Sequence, residues 1–289
     1  MKSSYYKYFA ALLLFGSNGI VASNINLPSY EIVLLRLLLG SLFLITVFTV
    51  SRQRFTFYRN KHTCLYLFIS ASAMGASWML LYEAYQQVGI SIASLAYYCG
   101  PVIVMILSPF LFRETLTWPK IAGFLTVLAG MCLVNLQALD EGKTIWGLFC
   151  GLMSAFMYAL MVTANKKAKP ESGLENSLLQ LVIGSFIVVA FVSMQKNFVL
   201  SLTTIDWIPV LLLGLLNTGI GCYLYFSSIT DLPVQTVAIC GYLEPLSAVV
   251  FSVLFLHEVL LPLQMLGAVL ILGGAIFGAV SYTHLTLPT

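Results

Sequence analysis

Long apolar segments separated by short polar connections follow one another along the whole chain. A helix that crosses a membrane needs about 20 predominantly apolar residues. Each segment is apolar around its circumference rather than along one stripe, a pattern typical of helices in a bundle surrounded by lipid. The chain is therefore predicted to be an all-α integral membrane protein with ten transmembrane helices. The predicted segments are residues 5–22, 29–50, 64–84, 91–112, 116–136, 144–164, 174–194, 207–227, 234–256 and 260–279.

Two copies of one sequence pattern lie 144 positions apart. Proline, glutamate and glycine coincide at this offset without a gap, which an apolar composition alone rarely produces. The matching pairs are Pro101 with Pro245, Glu114 with Glu258, Gly123 with Gly267, and Gly130 with Gly274. The sequence therefore predicts two five-helix repeats, residues 1–139 and residues 140–279.

Composition argues against a sizeable soluble domain. The chain is 60% hydrophobic and 9% charged, with a mean hydropathy of +0.94, whereas soluble domains carry about 25% charged residues. The six cysteines are scattered, form no CxxC motif and have no histidine at metal-ligand spacing. They are interpreted as small apolar residues, and no cofactor, metal site or disulfide framework is expected.

The distribution of Lys and Arg predicts the orientation, because cytoplasmic loops carry an excess of these residues. Eleven of the 14 lie at the N-terminal end or in the loops after the second, fourth and sixth segments. Lys143 and Lys196 lie on the opposite side, and Arg36 lies within a segment. Both termini are therefore predicted to be cytoplasmic.

An odd number of spans in each repeat makes the second copy enter the membrane from the opposite side. Such inverted repeats are common in secondary transporters, whose substrate sites lie near the membrane midplane between the halves. The pattern therefore predicts a transporter that works by alternating access. A receptor-like module or a membrane enzyme is the competing interpretation. The sequence disfavours both, because it shows no soluble sensor domain, catalytic cluster or nucleotide-binding motif, and no enzymatic activity is expected.

Two stretches also carry a resemblance to a known family. LYEAYQQVGISIASLAYYCGPVIVMILSPFLFRETLTWPKIAGFLTVLAGMCLV and LEPLSAVVFSVLFLHEVLLPLQMLGAVLILGGAI resemble the ends of the two repeats in the EamA group of the drug/metabolite transporter superfamily. LLLFGSNGIVAS and VLLRLLLG resemble its earlier spans. The resemblance implies a ten-span fold and the transport of a small metabolite, often by export. It leaves the substrate open, because the group includes amino-acid, sugar, nucleoside and drug carriers.

From this resemblance we expect a multi-pass protein of the bacterial plasma membrane. Its expected partners are the lipid bilayer, an amino acid or similar amphipathic solute, and protons as a coupling ion. Nucleic acid is not expected, because the topology rule already explains the short basic loops. The end of the chain, SYTHLTLPT, fits no family pattern and resembles a translated sequencing adapter. Residues 280–289 are therefore predicted to be a non-native tail.

Ionisable residues inside the predicted spans are candidates for function, because each is costly in hydrocarbon. Glu244 lies near the midplane and precedes Pro245, which leaves a backbone carbonyl without its usual donor. Glu244 either binds a substrate amine or carries a proton, or it fixes the kink structurally. Arg36 either binds a substrate carboxylate or forms a structural ion pair, for which the candidate partners are Glu31, Glu83 and Glu244. Glu114 and Glu258 are interpreted as partners for the N-termini of the helices that follow them.

Aromatic and amide side chains complete the predicted substrate site. The candidates are Asn18, Trp78, Tyr82, Tyr98, Tyr158 and Tyr242, which together suit a small amphipathic molecule. Aromatic residues near helix ends can instead belong to the interfacial belt. Pro101 and Pro245 are predicted to be hinges in the two halves. Gly100 stands where the second copy has Glu244, so the symmetry breaks at this charge.

Overall fold

The computed structural model describes residues 2–135, 145–194, 207–256 and 262–280. Every regular element in these ranges is helical, which confirms the predicted all-α class. The helices are α1 (Lys2–Gly16), α2 (Asn18–Ser23), α3 (Ser29–Val50), α4 (Lys61–Tyr97), α5 (Cys99–Phe112), α6 (Trp118–Asn135), α7 (Ile145–Ala168), α8 (Gly173–Ser193), α9 (Trp207–Leu211), α10 (Gly221–Ser228), α11 (Val234–Gly241), α12 (Leu243–Leu256) and α13 (Pro262–Val280). A 3₁₀ turn (Phe57–Arg59) precedes α4, and a π-helix (Leu212–Ile220) joins α9 to α10. Glu258 and the predicted tail beyond Val280 lie outside the described residues.

Six stretches of the described chain are long and apolar enough to cross a membrane. They are Tyr30–Val50, Lys61–Val88, Ile145–Ala168, Gly173–Ser193, Trp207–Ser228 and Val234–Phe255. Shorter apolar helices cover Cys99–Phe112, Trp118–Leu133 and Met265–Gly274. Their lengths and composition support the interpretation of a multi-pass membrane protein.

Contacts at Gly151 of α7 show that α4 folds back on itself. A Cβ built at Gly151 would lie 2.7 Å from the Cβ of Ala96 and 3.8 Å from the Cβ of Ala84. Twelve residues of straight α-helix would separate these two alanines by about 18 Å. The chain therefore reverses between Ala84 and Ala96, where the sequence predicts the connection between the third and fourth segments. Both arms of α4 reach α7.

Two apolar segments break at tyrosines that lie three residues before a proline. Tyr98 separates α4 from α5 with φ −70° and ψ −2°, and Tyr242 separates α11 from α12 with φ −71° and ψ −6°. Proline has no N–H and therefore cannot donate to the carbonyl four residues earlier. The two predicted hinge prolines, Pro101 and Pro245, thus each follow a local interruption of the helix.

Helices α6 and α13 approach each other backbone to backbone. A Cβ at Gly130 would lie 2.6 Å from the carbonyl oxygen of Gly267, and a Cβ at Gly274 would lie 2.6 Å from that of Gly123. These distances leave no room for even a methyl group. Small residues allow this approach between transmembrane helices, where van der Waals packing drives association.

Glu114, in the loop after α5, caps a helix that is distant in sequence. Its two carboxylate oxygens accept the N–H groups of Val234 at 2.8 Å and of Gln235 at 3.1 Å, at the start of α11. The first N–H groups of a helix have no partner inside the helix and favour a negative charge. The structure therefore corrects the sequence interpretation: the helix that Glu114 complements is α11, not the one that follows it.

Replacing Glu114 with Ala is expected to lower the free energy of unfolding by about 0.5–2 kcal/mol, the usual cost of losing a helix N-cap. Thermal unfolding of the purified protein in detergent measures this change. Glu171→Ala removes an exposed carboxylate from another loop and serves as the control. Equal melting points for the two variants would contradict a stabilising role for the Glu114 cap.

Candidate functional site

Six tyrosines from different parts of the chain gather at the break between α11 and α12. They are Tyr8 of α1, Tyr97 of α4, Tyr98, Tyr158 of α7, Tyr225 of α10 and Tyr242, and we call them the tyrosine cluster. The hydroxyls of Tyr158 and Tyr225 lie 3.3 Å apart. The rings of Tyr8 and Tyr225 have centroids 5.6 Å apart, and those of Tyr98 and Tyr242 lie 6.3 Å apart. The cluster therefore joins helices from both ends of the chain.

The phenol groups of this cluster converge on the end of α11. Tyr8 donates its hydroxyl to the carbonyl of Val237 at 2.8 Å. A Cβ at Gly241 would lie 3.5 Å from the Tyr8 hydroxyl and 3.8 Å from the Tyr158 hydroxyl. Glycine at position 241 thus leaves room for two hydroxyl groups beside the helix break.

Glu244 lies in the first turn of α12, directly beyond this break, and is half-buried. Its carboxylate interacts electrostatically with Tyr8, Tyr98 and Tyr158 of the cluster, and also with Arg36. Its own backbone carbonyl accepts the hydroxyl of Ser247 at 2.8 Å. The structure therefore places one carboxylate within electrostatic range of several aromatic hydroxyls.

Arg36 of α3 is buried, with 6% of its surface exposed. Its Nε donates to the hydroxyl of Thr218 at 2.8 Å, and its guanidinium carbon lies 4.7 Å from the ring centre of Trp78. Such a cation–π contact is stronger where the cation is removed from water. The structure gives Arg36 an electrostatic interaction with Glu244, one of the three carboxylates predicted as its partners.

Gly100, which stands where the second sequence copy has Glu244, has no room for a side chain. A Cβ at Gly100 would lie 2.7 Å from Cδ1 of Tyr158 and 3.2 Å from the carbonyl oxygen of Ala155. The ring of Tyr158 thus occupies the space that a side chain at position 100 would need. A carboxylate side chain at position 100 would therefore clash with Tyr158 in this structure.

Two further predicted site residues, Asn18 and Tyr82, have partners outside the tyrosine cluster. Asn217 donates its amide to the side-chain oxygen of Asn18 at 3.0 Å and to the hydroxyl of Ser17 at 2.8 Å, at the break between α1 and α2. Tyr82 packs against Tyr85 with ring centroids 5.2 Å apart. Asn18 and Tyr82 therefore contact other side chains, whereas Tyr98, Tyr158, Tyr242 and Glu244 lie at or near the break between α11 and α12.

Tyr8 is a member of the cluster that the sequence analysis missed. It is one of three tyrosines close together near the N-terminus, at positions 5, 6 and 8, where an interfacial belt is the ordinary interpretation. Tyr8 is fully buried, whereas Tyr6 is 74% exposed. An apolar face that continues from Tyr8 to Ala11 and Leu12, both buried, is the signal that could have separated them.

The arrangement suits recognition of an organic cation or zwitterion. A carboxylate attracts an ammonium group, and aromatic faces attract cations further. Arg36 offers a positive charge within electrostatic range of Glu244, suited to a carboxylate. Among the described residues, no group of three or more His, Cys, Asp and Glu side chains could hold a metal ion.

Comparison with known proteins shows strong family similarity. The sequence profile of the EamA-like transporter family matches the chain twice, at residues 3–136 and 145–279. The chain is 27% identical over 275 residues to the uncharacterized transporter YxxF of Bacillus subtilis (strain 168), covering 93% of this chain and 86% of the relative. It is 28% identical over 254 residues to the threonine/homoserine exporter RhtA of Escherichia coli (strain K12), covering 88% and 81%.

A solved crystal structure shares the fold. It superposes with a TM-score of 0.82 at 17% sequence identity, covering 96% of this chain and 98% of that one. At this identity the likeness concerns the architecture of the chain alone.

Proposed function

The chain belongs to the EamA-like transporter family, and from this premise we propose that it is a secondary transporter exporting an amino acid or similar amphipathic solute. The substrate class rests on one observation, the half-buried carboxylate of Glu244 beside the tyrosine cluster and within electrostatic range of Arg36. The relatedness to a threonine/homoserine exporter supports both the substrate class and the direction.

The proposed topology has ten spans in the bacterial plasma membrane, with both termini in the cytoplasm. The six long apolar stretches and three shorter apolar helices of the described chain account for nine of the proposed passes, and α1 with α2 covers the predicted first segment. The reversal inside α4 separates the third pass from the fourth. The concentration of Lys and Arg in the N-terminal end and alternate loops supports the orientation.

The proposed architecture is two inverted five-helix repeats, residues 1–139 and 140–279. Reciprocal contacts support it: Gly130 meets Gly267 while Gly123 meets Gly274. Because Gly267 is equivalent to Gly123 and Gly274 to Gly130, exchanging the halves converts one contact into the other. Self-complementary contacts of this kind are what a two-fold axis produces. The family profile also matches twice, once in each half.

A second reciprocal set lies between other helices. A Cβ at Gly75 would lie 2.9 Å from the carbonyl oxygen of Gly184 and 3.0 Å from Ile187. A Cβ at Gly219, the equivalent of Gly75, would lie 2.7 Å from Phe43, the equivalent of Ile187. In both sets, exchanging the residues of one contact for their equivalents in the other half gives another observed contact. Both sets therefore support a two-fold axis that relates the two halves.

In the proposed mechanism Glu244 binds the ammonium group of the substrate or carries a coupling proton, and Arg36 faces its carboxylate. Tyr98, Tyr158 and Tyr242 line the site, with Asn18, Trp78 and Tyr82 as outlying members. Pro101 and Pro245 act as hinges on the two sides, so that the halves rock about the site. Apolar and aromatic walls with few polar groups are typical of small-molecule sites.

We further propose that this structure is closed at the end that bears the basic loops. There α5 and α6 pack against α11, whereas α12 packs against α1, α2 and α13. Lys120 of α6 donates to the side-chain oxygen of Gln235, and Gln235 donates to the hydroxyl of Ser108 at 2.9 Å. This chain of buried hydrogen bonds holds α11 to the first half.

Ligand screening by thermal unfolding tests the substrate class, because a ligand that binds only the folded protein raises its melting point. We expect threonine or homoserine to stabilise the purified protein, and the matching N-acetyl and amide derivatives to fail. The derivatives remove the ammonium and carboxylate charges in turn, so they test the two proposed ion contacts separately. Counterflow of the stabilising solute in proteoliposomes then tests transport.

Two results would contradict the proposal. If a lipophilic organic cation, a nucleoside or a sugar raised the melting point and no amino acid did, the substrate would belong to that class and not to the amino acids. Absence of counterflow for every stabilising solute would contradict the transport function itself.

A further inference from the structure

Tyr98 and Tyr242 occupy equivalent positions in the two halves and bond directly to each other. They are separated by the repeat offset, and each forms a helix break with nearly the same backbone angles. The hydroxyl of Tyr242 donates to the carbonyl oxygen of Tyr98 at 2.7 Å across a sequence separation of 144. A contact between two equivalent residues lies on the axis that relates the halves. The hydroxyls of Ser41 and Ser185, also 144 residues apart, meet in the same manner at 3.0 Å.

The tyrosine bond is asymmetric although its position is symmetric. The carbonyl of Tyr98 accepts a phenol from the other half, whereas the carbonyl of Tyr242 accepts the N–H of Leu246 in its own helix at 3.4 Å. The side chain of Tyr242 is fully buried, and that of Tyr98 is half-buried. A two-fold axis would require each tyrosine to donate to the other, but in this structure only Tyr242 donates and only Tyr98 accepts. The two halves therefore differ in conformation at this break, and the direction of the hydrogen bond shows which half has which conformation.

We propose that Tyr98 and Tyr242 are positioning residues that exchange this hydrogen bond during transport. In the present state Tyr242 donates to the Tyr98 carbonyl, and in the state open to the other side Tyr98 donates to the Tyr242 carbonyl. The inference rests on the proposed function, because it requires inverted halves that exchange conformations as access alternates. Each bond forms in one state and stabilises that state alone.

Phenylalanine variants separate the two bonds, because phenylalanine keeps the ring and removes only the donor. Tyr242→Phe is expected to shift the equilibrium away from the present state about 2- to 12-fold, the factor that one neutral hydrogen bond contributes. Tyr98→Phe is expected to shift it toward the present state by a similar factor. The double variant is expected to return close to the original ratio.

Distances between two nitroxide labels measure this ratio in the full chain. Thr115 and Asp231 are exposed in the loops that flank α5 and α11, and cysteines placed there carry the labels after the native cysteines are replaced. Hydrogen–deuterium exchange of the same two loops, in protein with its native cysteines, provides a second measurement. Tyr6→Phe alters an exposed tyrosine and is expected to leave both measurements unchanged.

Opposite shifts in the single variants and compensation in the double variant support the switch, because a purely structural loss would not compensate. Shifts in the same direction, or two distance populations that no variant changes, would overturn the switch while leaving alternating access intact. A single distance in every variant, together with absence of solute counterflow, would overturn both the switch and the proposed function.

Discussion

Glu244→Gln protein is expected to transport solute about 10- to 100-fold more slowly than the original, and its flux should no longer respond to a proton gradient. The factor corresponds to the loss of a hydrogen bond to a charged group, about 1.5–3 kcal/mol. Glutamine has nearly the shape of glutamate, but it neither attracts an ammonium group as strongly nor releases a proton. Flux into proteoliposomes, measured with and without an imposed pH gradient, tests both effects.

The control for this prediction is a second carboxylate within the apolar segments. Glu83 accepts hydrogen bonds from Gln87 at 3.1 Å and from Trp146 at 3.3 Å, away from the tyrosine cluster. Glu83→Gln is expected to retain both flux and gradient dependence. Gradient-dependent flux in the Glu244→Gln protein would remove Glu244 from proton coupling. Unchanged ligand affinity of the Glu244→Gln protein would also show that Glu244 does not bind the substrate.

Gly274→Ala is expected to destabilise the protein by about 1–3 kcal/mol, the usual cost of overpacking a filled interior. The new methyl group would lie 2.6 Å from the carbonyl oxygen of Gly123 and 2.9 Å from a methyl carbon of Val127. Both neighbours are fixed, the first by the backbone of α6 and the second by its packing in the core. Helices α6 and α13 would therefore have to separate.

The adjacent glycine provides a matched control. A Cβ at Gly273 would meet no atom within 4 Å, so Gly273→Ala is expected to be neutral or to stabilise by up to about 1 kcal/mol through helix propensity. Thermal unfolding in detergent compares the two variants. By the reciprocity of the contact, Gly130→Ala should behave like Gly274→Ala. Equal stability of the Gly273 and Gly274 variants would contradict the close packing of α6 on α13.

Several features of the fold could be predicted because their causes are local. Apolar composition over a window of about 20 residues identifies membrane helices without knowledge of their neighbours. Proline interrupts a helix through its own covalent structure, so Pro101 and Pro245 indicated the breaks beside them. The reversal within α4 also falls at the predicted connection, although helical backbone bonding continues through it.

The candidate site was predicted only in part. Tyr98, Tyr158, Tyr242 and Glu244 were identified as aromatic or ionisable groups inside apolar segments, where such groups are costly. Tyr8 was missed because three tyrosines close together near the N-terminus also fit an interfacial belt, and the apolar face that Tyr8 shares with Ala11 and Leu12 is a weak signal in a largely apolar segment. Arg36 was expected to pair with a carboxylate, but the structure gives it Thr218 and the face of Trp78 as direct partners.

By itself, the sequence determined that this protein is an apolar all-α chain, that Pro101 and Pro245 interrupt its helices, and which of its polar groups are unusual for their surroundings. These properties follow from hydrophobicity and backbone chemistry, which act within a few helical turns. Only the tertiary structure decided that Glu114 caps α11, that Tyr158 fills the space beside Gly100, and that Tyr242 bonds to Tyr98. These contacts join residues far apart in the chain, and their existence depends on how whole helices pack rather than on any one segment.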